Sequence, residues 1–269
     1  MGKEIPQQGA FSEANKIHHA LVFLQYSAFV TSILSSLSER ITVKYQWIGP
    51  SLIVLTVILA CLIFIFQSLF NEKYREAEDL RRDGFIDFAF QTKMANIGAN
   101  GYYDSADIPA GYRRLLAQIH QNSFESQMII NKMLPKSGRR NIAFFVLLFL
   151  IAVFSLVTSS FFLAGLQILL SVNFLIEFLT LRRMKNDFEN IQKKCKDIWE
   201  AVENEPNIDD DVKGTAHIIR LLVQYETTLS YASIMLDSKI YNEINQQATN
   251  EWRSLVERFN MRGDGVPKC

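Results

Sequence analysis

The longest apolar stretch of the chain, 141–181, carries a single charged residue, Glu177. One straight helix of that length would extend about 60 Å, roughly twice the thickness of the hydrocarbon core of a bilayer. The stretch is therefore predicted to form two antiparallel membrane-spanning helices, with a turn at the polar residues 158–160. A second uncharged stretch, 48–70, is long enough for one tilted span. Pro50 lies in its first turn, where a helix tolerates proline.

The segment 20–38 is also uncharged and long enough to span, although Gln25, Thr31 and several serines make it less apolar. Three interpretations are open: a spanning helix, an interfacial helix, and a signal peptide cleaved near the small residues 36–38. A signal peptide begins with net positive charge, whereas Lys and Glu balance each other before residue 20. The spanning helix is therefore preferred.

The distribution of Lys and Arg predicts how the spans are oriented. Basic residues crowd 71–140 and return directly after the last apolar stretch, at Arg182, Arg183 and Lys185. Such residues favour the cytoplasmic side of a membrane, and two cytoplasmic flanks need an even number of crossings between them. The sequence thus predicts an all-α integral membrane bundle of four transmembrane helices in two hairpins, with long cytoplasmic helices and both termini in the cytoplasm.

This topology divides the chain into four segments. They are a transmembrane hairpin at 1–70, a cytoplasmic helical insert at 71–140, a second transmembrane hairpin at 141–181, and a cytoplasmic helical hairpin with a loose tail at 182–269. No strand pattern is evident, because apolar positions outside the spans recur at helical spacing.

Inside the insert, a helix over 71–96 is predicted to break or kink at Gly84. It should gain from ion pairs in which Arg81 and Arg82 lie one turn beyond acidic residues. An amphipathic helix over 110–134 is then predicted to end at Pro135 and Gly138.

After Leu181 a helix is predicted to continue unbroken to about residue 204. A last long helix, 212–259, is predicted to pack back on it as an antiparallel hairpin.

Composition indicates little chemistry beyond the membrane. Lys plus Arg and Asp plus Glu are equal at 28 each, so no net field attracts nucleic acid or acidic ligands. The three cysteines and four histidines lack metal-ligand spacing, and a reducing compartment without disulfides is the economical interpretation. The glycines at 98 and 101 lack the rest of a phosphate loop. The chain is predicted not to be an enzyme and to need no cofactor.

Two groups of polar residues lie on predicted spans. Glu177, with Asn173 and Thr180, lies on one face of the fourth span, where an ionisable residue either marks a pathway or pairs with Arg182 or Arg183 near the interface. On the first span a stripe of polar and small residues can either pack closely or line water after several chains assemble. That stripe consists of Gln25, Ala28, Ser32, Ser35, Ser36 and Glu39. The candidate pore-lining or gating residues are Gln25, Ser32, Asn173 and Glu177.

A third group joins aromatic residues to arginines in the insert. Such pairs can stack bases and hold phosphates, dock a partner protein, or cap a pair of helices. The candidate contacts for a partner or trigger are Tyr102, Tyr103, Asp104, Arg113 and Arg114.

The layout and several short stretches resemble bacterial anti-phage membrane effectors, the SMODS-associating four-transmembrane proteins and the related SLATT group. The most similar sequence motifs are Gly101-Tyr-Tyr-Asp104 and Gln121-Asn-Ser-Phe-Glu-Ser126, with Trp199 farther along the chain. The resemblance implies an effector that oligomerises when a cytoplasmic sensor activates it and then permeabilises the inner membrane, causing abortive infection. The sensor would be a nucleotidyltransferase that makes cyclic oligonucleotides, or a retron reverse transcriptase with its single-stranded DNA.

The expected partners are thus the lipid bilayer, further copies of the chain and an operon-encoded sensor, while direct contact with nucleic acid stays open. The lack of a nucleotide-binding domain in the sequence favours a protein or nucleoprotein trigger. Two alternatives are a non-conducting membrane anchor that recruits a cytoplasmic partner, and a small transporter subunit. A transporter more often has Gly or Pro within paired spans, and here only Gly165 fits that pattern.

Overall fold

The structure of the chain is a computed structural model. It describes residues 8–41, 47–94, 105, 107–155, 161–202, 212–232 and 234–262, with the backbone alone at 8, 36–37, 39–41, 148, 150–155, 161–173, 202 and 238. These residues form six helices: α1 Gln8–Ile41, α2 Ile48–Phe90, α3 Tyr112–Ser155, α4 Phe161–Val202, α5 Val212–Ala232 and α6 Ser238–Arg258. The described residues contain no strand, which confirms the all-α class.

Two of the described helices are long and apolar enough to cross a membrane. They are Gly9–Ser35 within α1 and Ile48–Phe90, the whole of α2, and an 18-residue window in each has a mean hydropathy of 1.4 and 2.8, respectively. Both contain most of a predicted span. The turn predicted at 158–160 lies outside the described residues.

The chain forms two compact units. Unit 1 comprises the described residues of Met1–Gly9, Ala77–Leu134 and Thr180–Cys269, and unit 2 comprises those of Ala10–Glu76 and Pro135–Leu179. Helices α2, α3 and α4 are each longer than 40 residues, and each contributes one end to unit 1 and the other to unit 2. The four-segment division of the chain stays a prediction.

Unit 2 has apolar side chains on its surface and polar side chains in its interior. Phe23, Phe64 and Phe149 are 71%, 78% and 68% exposed. Other large exposed apolar residues of the unit are Val30, Leu34, Val54, Leu55, Val57, Ile58, Ile65, Leu69, Ile142, Phe145, Val146, Ile176 and Leu179. Its buried polar residues include Gln25, Ser32, Ser35, Thr56, Ser137 and Asn141. Water-soluble units show the opposite distribution.

Unit 1 has an apolar core. Its largest fully buried side chains are Phe85, Leu115, Leu116, Ile119, Phe188, Ile191, Trp199, Ile218 and Trp252. Helix α5 runs antiparallel to α4. Arg183 of α4 contacts Tyr231, whereas Lys194, farther along α4, donates a hydrogen bond to Gln224, which comes earlier in α5. The predicted antiparallel packing on the helix after Leu181 is confirmed for α5.

A carboxylate of α5 joins two arginines of α2 inside unit 1. Glu226 Oε2 lies 2.7 Å from a terminal nitrogen of Arg81 and 2.9 Å from Nε of Arg82. The predicted one-turn pairs are also present, from Arg81 to Glu78 and from Arg82 to Asp79, both at 3.0 Å. Burial by itself lowers the pKa of Arg81, but the neighbouring acidic groups outweigh it and the net shift is upward. Arg81 therefore stays charged in a largely buried position.

The predicted single helix 212–259 is wrong, because the structure has two helices there. The chain leaves helical conformation after Ala232, and Asp237 caps the start of α6 by accepting hydrogen bonds from the backbone N–H groups of Lys239 and Ile240. The break lets α6 pack on α3, where Ile240 and Ile244 form a cluster with Ile129.

The predicted break at Gly84 and the predicted helix end at Pro135 and Gly138 are also wrong, whereas a kink at Gly84 stays a prediction. Helix α2 passes through Gly84 and ends at Phe90, and Gln91 then takes a left-handed conformation with φ of 56°. Helix α3 passes through both Pro135 and Gly138. Proline forfeits one backbone hydrogen bond, which packing on both sides can offset. A Cβ atom on Gly138 would stand 3.4 Å from the ring of Phe178 on α4, an ordinary van der Waals contact, so α3 packs against α4 at this glycine without requiring it.

His120 is a fully buried, neutral side chain of unit 1. Its ring packs edge-on against Trp252, with 5.4 Å between ring centroids, and neither ring nitrogen has a hydrogen-bond partner among the described residues. Burial, together with the positive charge of Lys196, lowers the pKa of His120 to about 3.

The stability of the chain should therefore fall in mild acid. The unfolded chain binds a proton at this histidine below about pH 6.5, whereas the folded chain stays neutral down to about pH 3. Between these two values, protonation of this histidine in the unfolded chain should lower the free energy of unfolding by about 1.4 kcal/mol for each unit by which the pH falls. Denaturant titrations of the detergent-purified chain at pH 7, 6 and 5 measure this slope, which His120→Phe should flatten.

The exposed histidine on α5 gives the matched control, and His217→Gln should keep the steepness of the wild type. Equal pH slopes for His120→Phe and the wild type would contradict the assignment.

Candidate functional site

Glu177 is paired with an arginine of the neighbouring helix. Its Oε2 atom lies 2.5 Å from a terminal nitrogen of Arg140 on α3, and the two side chains are 33% and 28% exposed. The partner therefore differs from the predicted Arg182 or Arg183. Those residues lie five and six positions along the same helix, rotated by about 140° and 240° from Glu177. Arg140 reaches the face that Glu177 presents.

The guanidinium of Arg140 also stacks on an aromatic ring. Its central carbon lies 5.0 Å from the ring centroid of Phe174, one turn before Glu177 on α4. A cation over the face of a ring is attracted by the negative potential of the π system. One side of α4 thus holds Arg140 both by charge and by its aromatic face.

Asn141 joins the same two helices through the backbone. Its buried amide group donates hydrogen bonds to the carbonyl oxygens of Ser137, at 3.0 Å, and Phe174, at 3.1 Å. The first bond stays within α3, and the second crosses to α4. Interhelical hydrogen bonds of this kind stabilise helix pairs where the surroundings offer no water.

Four aromatic rings pack beside this polar contact. The rings of Phe144 and Phe174 stack with 4.6 Å between centroids, and Phe29 of α1 meets Phe144 edge-on at 4.9 Å. Tyr26 of α1 lies 5.6 Å from Phe174. Phe29, Phe144 and Phe174 join α1, α3 and α4 in the interior of unit 2, and Tyr26 lies at the edge of the cluster, 38% exposed. We call these rings, together with Arg140, Asn141 and Glu177, the interhelical polar–aromatic site.

The described part of the stripe on α1 is buried inside unit 2, while the side chains of Ser36 and Glu39 lie outside the described residues. Gln25, Ala28 and Ser32 are at most 8% exposed, and Ala28 packs in a cluster with Ile63 of α2. In a single chain the stripe therefore has the close-packing role, and its role in lining water stays a prediction. The side chain of the remaining pore candidate, Asn173, lies outside the described residues.

The two arginines predicted to contact a partner bind backbone within unit 1. Arg113 donates to the carbonyl oxygens of Asn260 and Met261, just after α6, at 3.0 and 2.9 Å. Arg114 donates to those of Ile108, at 2.7 Å, and Phe88, at 3.0 Å. Burial lowers the pKa of Arg114.

These contacts are those of the capping alternative, and a contact of Arg113 and Arg114 with a partner stays a prediction. The other three candidates for a partner contact, Tyr102, Tyr103 and Asp104, lie outside the described residues.

The described residues offer little for covalent or metal chemistry. No group of three His, Cys, Asp or Glu side chains among them is placed to hold a metal ion. Cys195 is buried in the core of unit 1, and burial raises the pKa of its thiol, so it stays protonated and unreactive.

The contacts of Arg140 and Asn141 were not predicted from the sequence. Both residues stand at the border between the basic insert and the apolar stretch, where Arg140 counted only as a topology signal and Asn141 as the start of the span. The pairing could have been predicted from two positions in the sequence: Arg140 at the start of the third predicted span and Glu177 near the cytoplasmic end of the fourth. In an antiparallel hairpin these ends lie at the same level.

In comparisons with known proteins, no family model, no characterised protein and no solved structure matches the chain.

A double-mutant cycle measures the pair at the centre of the site. Arg140→Leu and Glu177→Leu should each destabilise the chain by leaving one charge without its partner, and the double variant should lose less than the sum. The expected coupling energy is roughly 1–3 kcal/mol. Unfolding of the detergent-purified chain by sodium dodecyl sulfate gives the four free energies.

Arg139 provides the matched control, because it is the adjacent arginine and its Nε contacts only the backbone of Pro135 among the described residues. The cycle of Arg139→Leu with Glu177→Leu should give a coupling below roughly 0.5 kcal/mol. Equal coupling in the two cycles would mean that the contact contributes no specific stability.

Proposed function

We propose that the protein is a four-span effector of the bacterial inner membrane in an anti-phage defence system, which permeabilises the membrane when a cytoplasmic sensor activates it. The proposal combines a non-enzymatic role with membrane insertion of unit 2. It places unit 1 in the cytoplasm as the part that receives the signal.

The polarity of unit 2 is the observation that carries the membrane part of the proposal. Large side chains such as Phe23, Phe64 and Phe149 are exposed, while Gln25 and Ser32 are buried. In water this arrangement would leave a large apolar surface hydrated. In lipid the same surface contacts acyl chains, and the buried polar side chains contact neighbouring helices.

Insertion of all four helices is supported by the exposed residues of α3 and α4. Ile142, Phe145 and Phe149 recur on α3 at helical spacing, and Ile176 and Leu179 lie one turn apart on α4. These faces have the same character as those of α1 and α2, the two helices whose length and hydropathy suit a span.

The interhelical polar–aromatic site is our candidate for the contact that keeps the membrane sealed before activation. The pair of Arg140 with Glu177 and the stacked rings of Phe144 and Phe174 tie α3 to α4. Separation of these helices would release two charged side chains, which can then face water admitted between helices or between copies of the chain.

A cytoplasmic trigger is supported by the topology predicted from the basic residues and by the resemblance to four-transmembrane anti-phage effectors. On this proposal the polar part of the chain lies inside the cell, so the signal arrives there. The trigger is a retron reverse transcriptase with its single-stranded DNA, or a nucleotidyltransferase system, and further copies of the chain assemble in response.

The topology is tested with one added cysteine at a time and a membrane-impermeant maleimide. Lys44→Cys, in the predicted external link, should react in intact cells, whereas Glu243→Cys on an exposed position of α6 should react only after the inner membrane is permeabilised. The unsubstituted chain measures labelling of its own cysteines. Labelling of Glu243→Cys in intact cells would overturn the cytoplasmic placement of unit 1.

The effector activity is tested by following membrane potential with a voltage-sensitive dye. Cells that express the chain with the product of its neighbouring reading frame should depolarise after phage infection, and cells that express the chain alone should not. Glu177→Leu should depolarise cells without infection, because it breaks the contact that keeps α3 and α4 together.

Arg139→Leu is the matched variant and should need infection, as the wild type does. An anchor without conducting activity predicts wild-type behaviour for Glu177→Leu, and a transporter subunit predicts substrate-dependent flux with no toxicity. Absence of depolarisation under every triggering condition would overturn the proposal.

A further inference from the structure

A small cavity lies between α4 and α5 within unit 1, with both polar and apolar side chains in its wall. Its volume is about 270 Å³, below the range usual for drug-sized ligands, so it suits a small group. It is lined by Thr180, Arg183, Met184, Asp187, Gln224, Thr227, Thr228, Tyr231 and Ala232. Both a cation and an anion are thus present among hydroxyl and amide groups.

Arg183 has donors to offer an anionic ligand. Its guanidinium lies over the ring of Tyr231, with 4.5 Å from the central carbon to the ring centroid. Stacking occupies the face of the guanidinium and leaves its N–H groups in the plane. Its ion pair with Asp187 is long, with 3.8 Å between Nε and Oδ2, so the five N–H donors are not consumed by that carboxylate. A phosphate fits this edge.

The acidic residue indicates a second, positive group on the ligand. Asp187 is one turn beyond Arg183, and its carboxylate would repel a purely anionic ligand. An ammonium group can instead pair with Asp187. The cavity is therefore complementary to a zwitterion that carries a phosphate and an amine.

The position of the cavity along α4 indicates where such a ligand comes from. Thr180, Arg183 and Asp187 follow Ile176 at spacings of four, seven and eleven residues, which keeps all four on one face of the helix. Ile176 is exposed and apolar, so this face changes from apolar to polar within about one turn. A membrane surface has the same change from acyl chain to headgroup.

We infer that the cavity binds the phosphoethanolamine headgroup of a membrane phospholipid. The phosphate accepts hydrogen bonds from Arg183, and the ammonium pairs with Asp187. The inference rests on the membrane insertion of unit 2 in the proposed function, and it adds a lipid-specific contact on the cytoplasmic side of the fourth span.

The test measures binding of short-chain phospholipids to the full chain in detergent micelles, by native mass spectrometry and by displacement of a fluorescent phosphatidylethanolamine. Dihexanoyl phosphatidylethanolamine should displace the probe at a concentration at least tenfold below that of the phosphatidylglycerol analogue. Free phosphoethanolamine and inorganic phosphate should displace it only at concentrations at least a hundredfold higher. Displacement by either free compound at the concentration of the lipid would overturn the lipid assignment.

Two adjacent arginines give a matched pair of variants. Arg183→Gln should weaken probe binding at least tenfold, whereas Arg182→Gln, which removes the same charge from an exposed position that does not line the cavity, should change it less than twofold. Asp187→Asn should abolish the preference for phosphatidylethanolamine over phosphatidylglycerol. Equal losses in the two arginine variants would show attraction by general surface charge and would overturn the site.

These outcomes are separable from those of the proposed function. A wild-type chain that depolarises cells but shows no headgroup preference in micelles contradicts this inference alone. A chain that binds the headgroup with the expected variant pattern, and never depolarises cells, contradicts the effector proposal alone.

Discussion

The apolar surface of unit 2 is the constraint on which the rest of the structure depends. A large apolar side chain contributes about 1.5–3 kcal/mol when it is removed from water, and unit 2 leaves many of them on its outside. Turning these residues inward would bring Gln25, Ser32 and Asn141 to the outside of the unit. An apolar solvent, which the proposed function requires, would satisfy both sets of side chains.

An apolar solvent would increase the contribution that the contact between α3 and α4 makes to stability. In water a half-exposed ion pair is worth little, since both charges are hydrated and screened. Where acyl chains replace water, separating Arg140 from Glu177 leaves two charges in a medium that solvates them poorly. The same pair that is modest in a soluble protein can then decide which arrangement of the helices is stable.

Unit 1 follows the rules of a water-soluble helical bundle, and the change between the two regimes occurs within individual helices. On α3, Leu115 and Ile119 are buried among apolar neighbours, whereas Ile142 and Phe149 are exposed. Pro135 marks the break between the units on this helix, yet the helix continues through it. The long helices therefore connect the two units covalently without an intervening loop.

How much of this could be predicted from the sequence varies between elements. The helical class and the candidate spans in α1 and α2 followed from composition and periodicity, which are local properties. Gly84 and Pro135 were predicted as breaks because each weakens an isolated helix, but packing outweighed that local preference. The turn before α6 was missed because Asp237 stands inside an otherwise helical pattern.

For the candidate site, the sequence alone identified Glu177 as an ionisable residue on a predicted span, either lining a pathway or pairing with Arg182 or Arg183. Its partner, Arg140, is 37 positions away, and only the tertiary structure decided that pairing. The same holds for the burial of the stripe at Gln25 and Ser32 and for the backbone contacts of Arg113 and Arg114. Hydrophobic periodicity determines which faces of a helix avoid water, whereas the neighbour that each face meets depends on how distant helices pack.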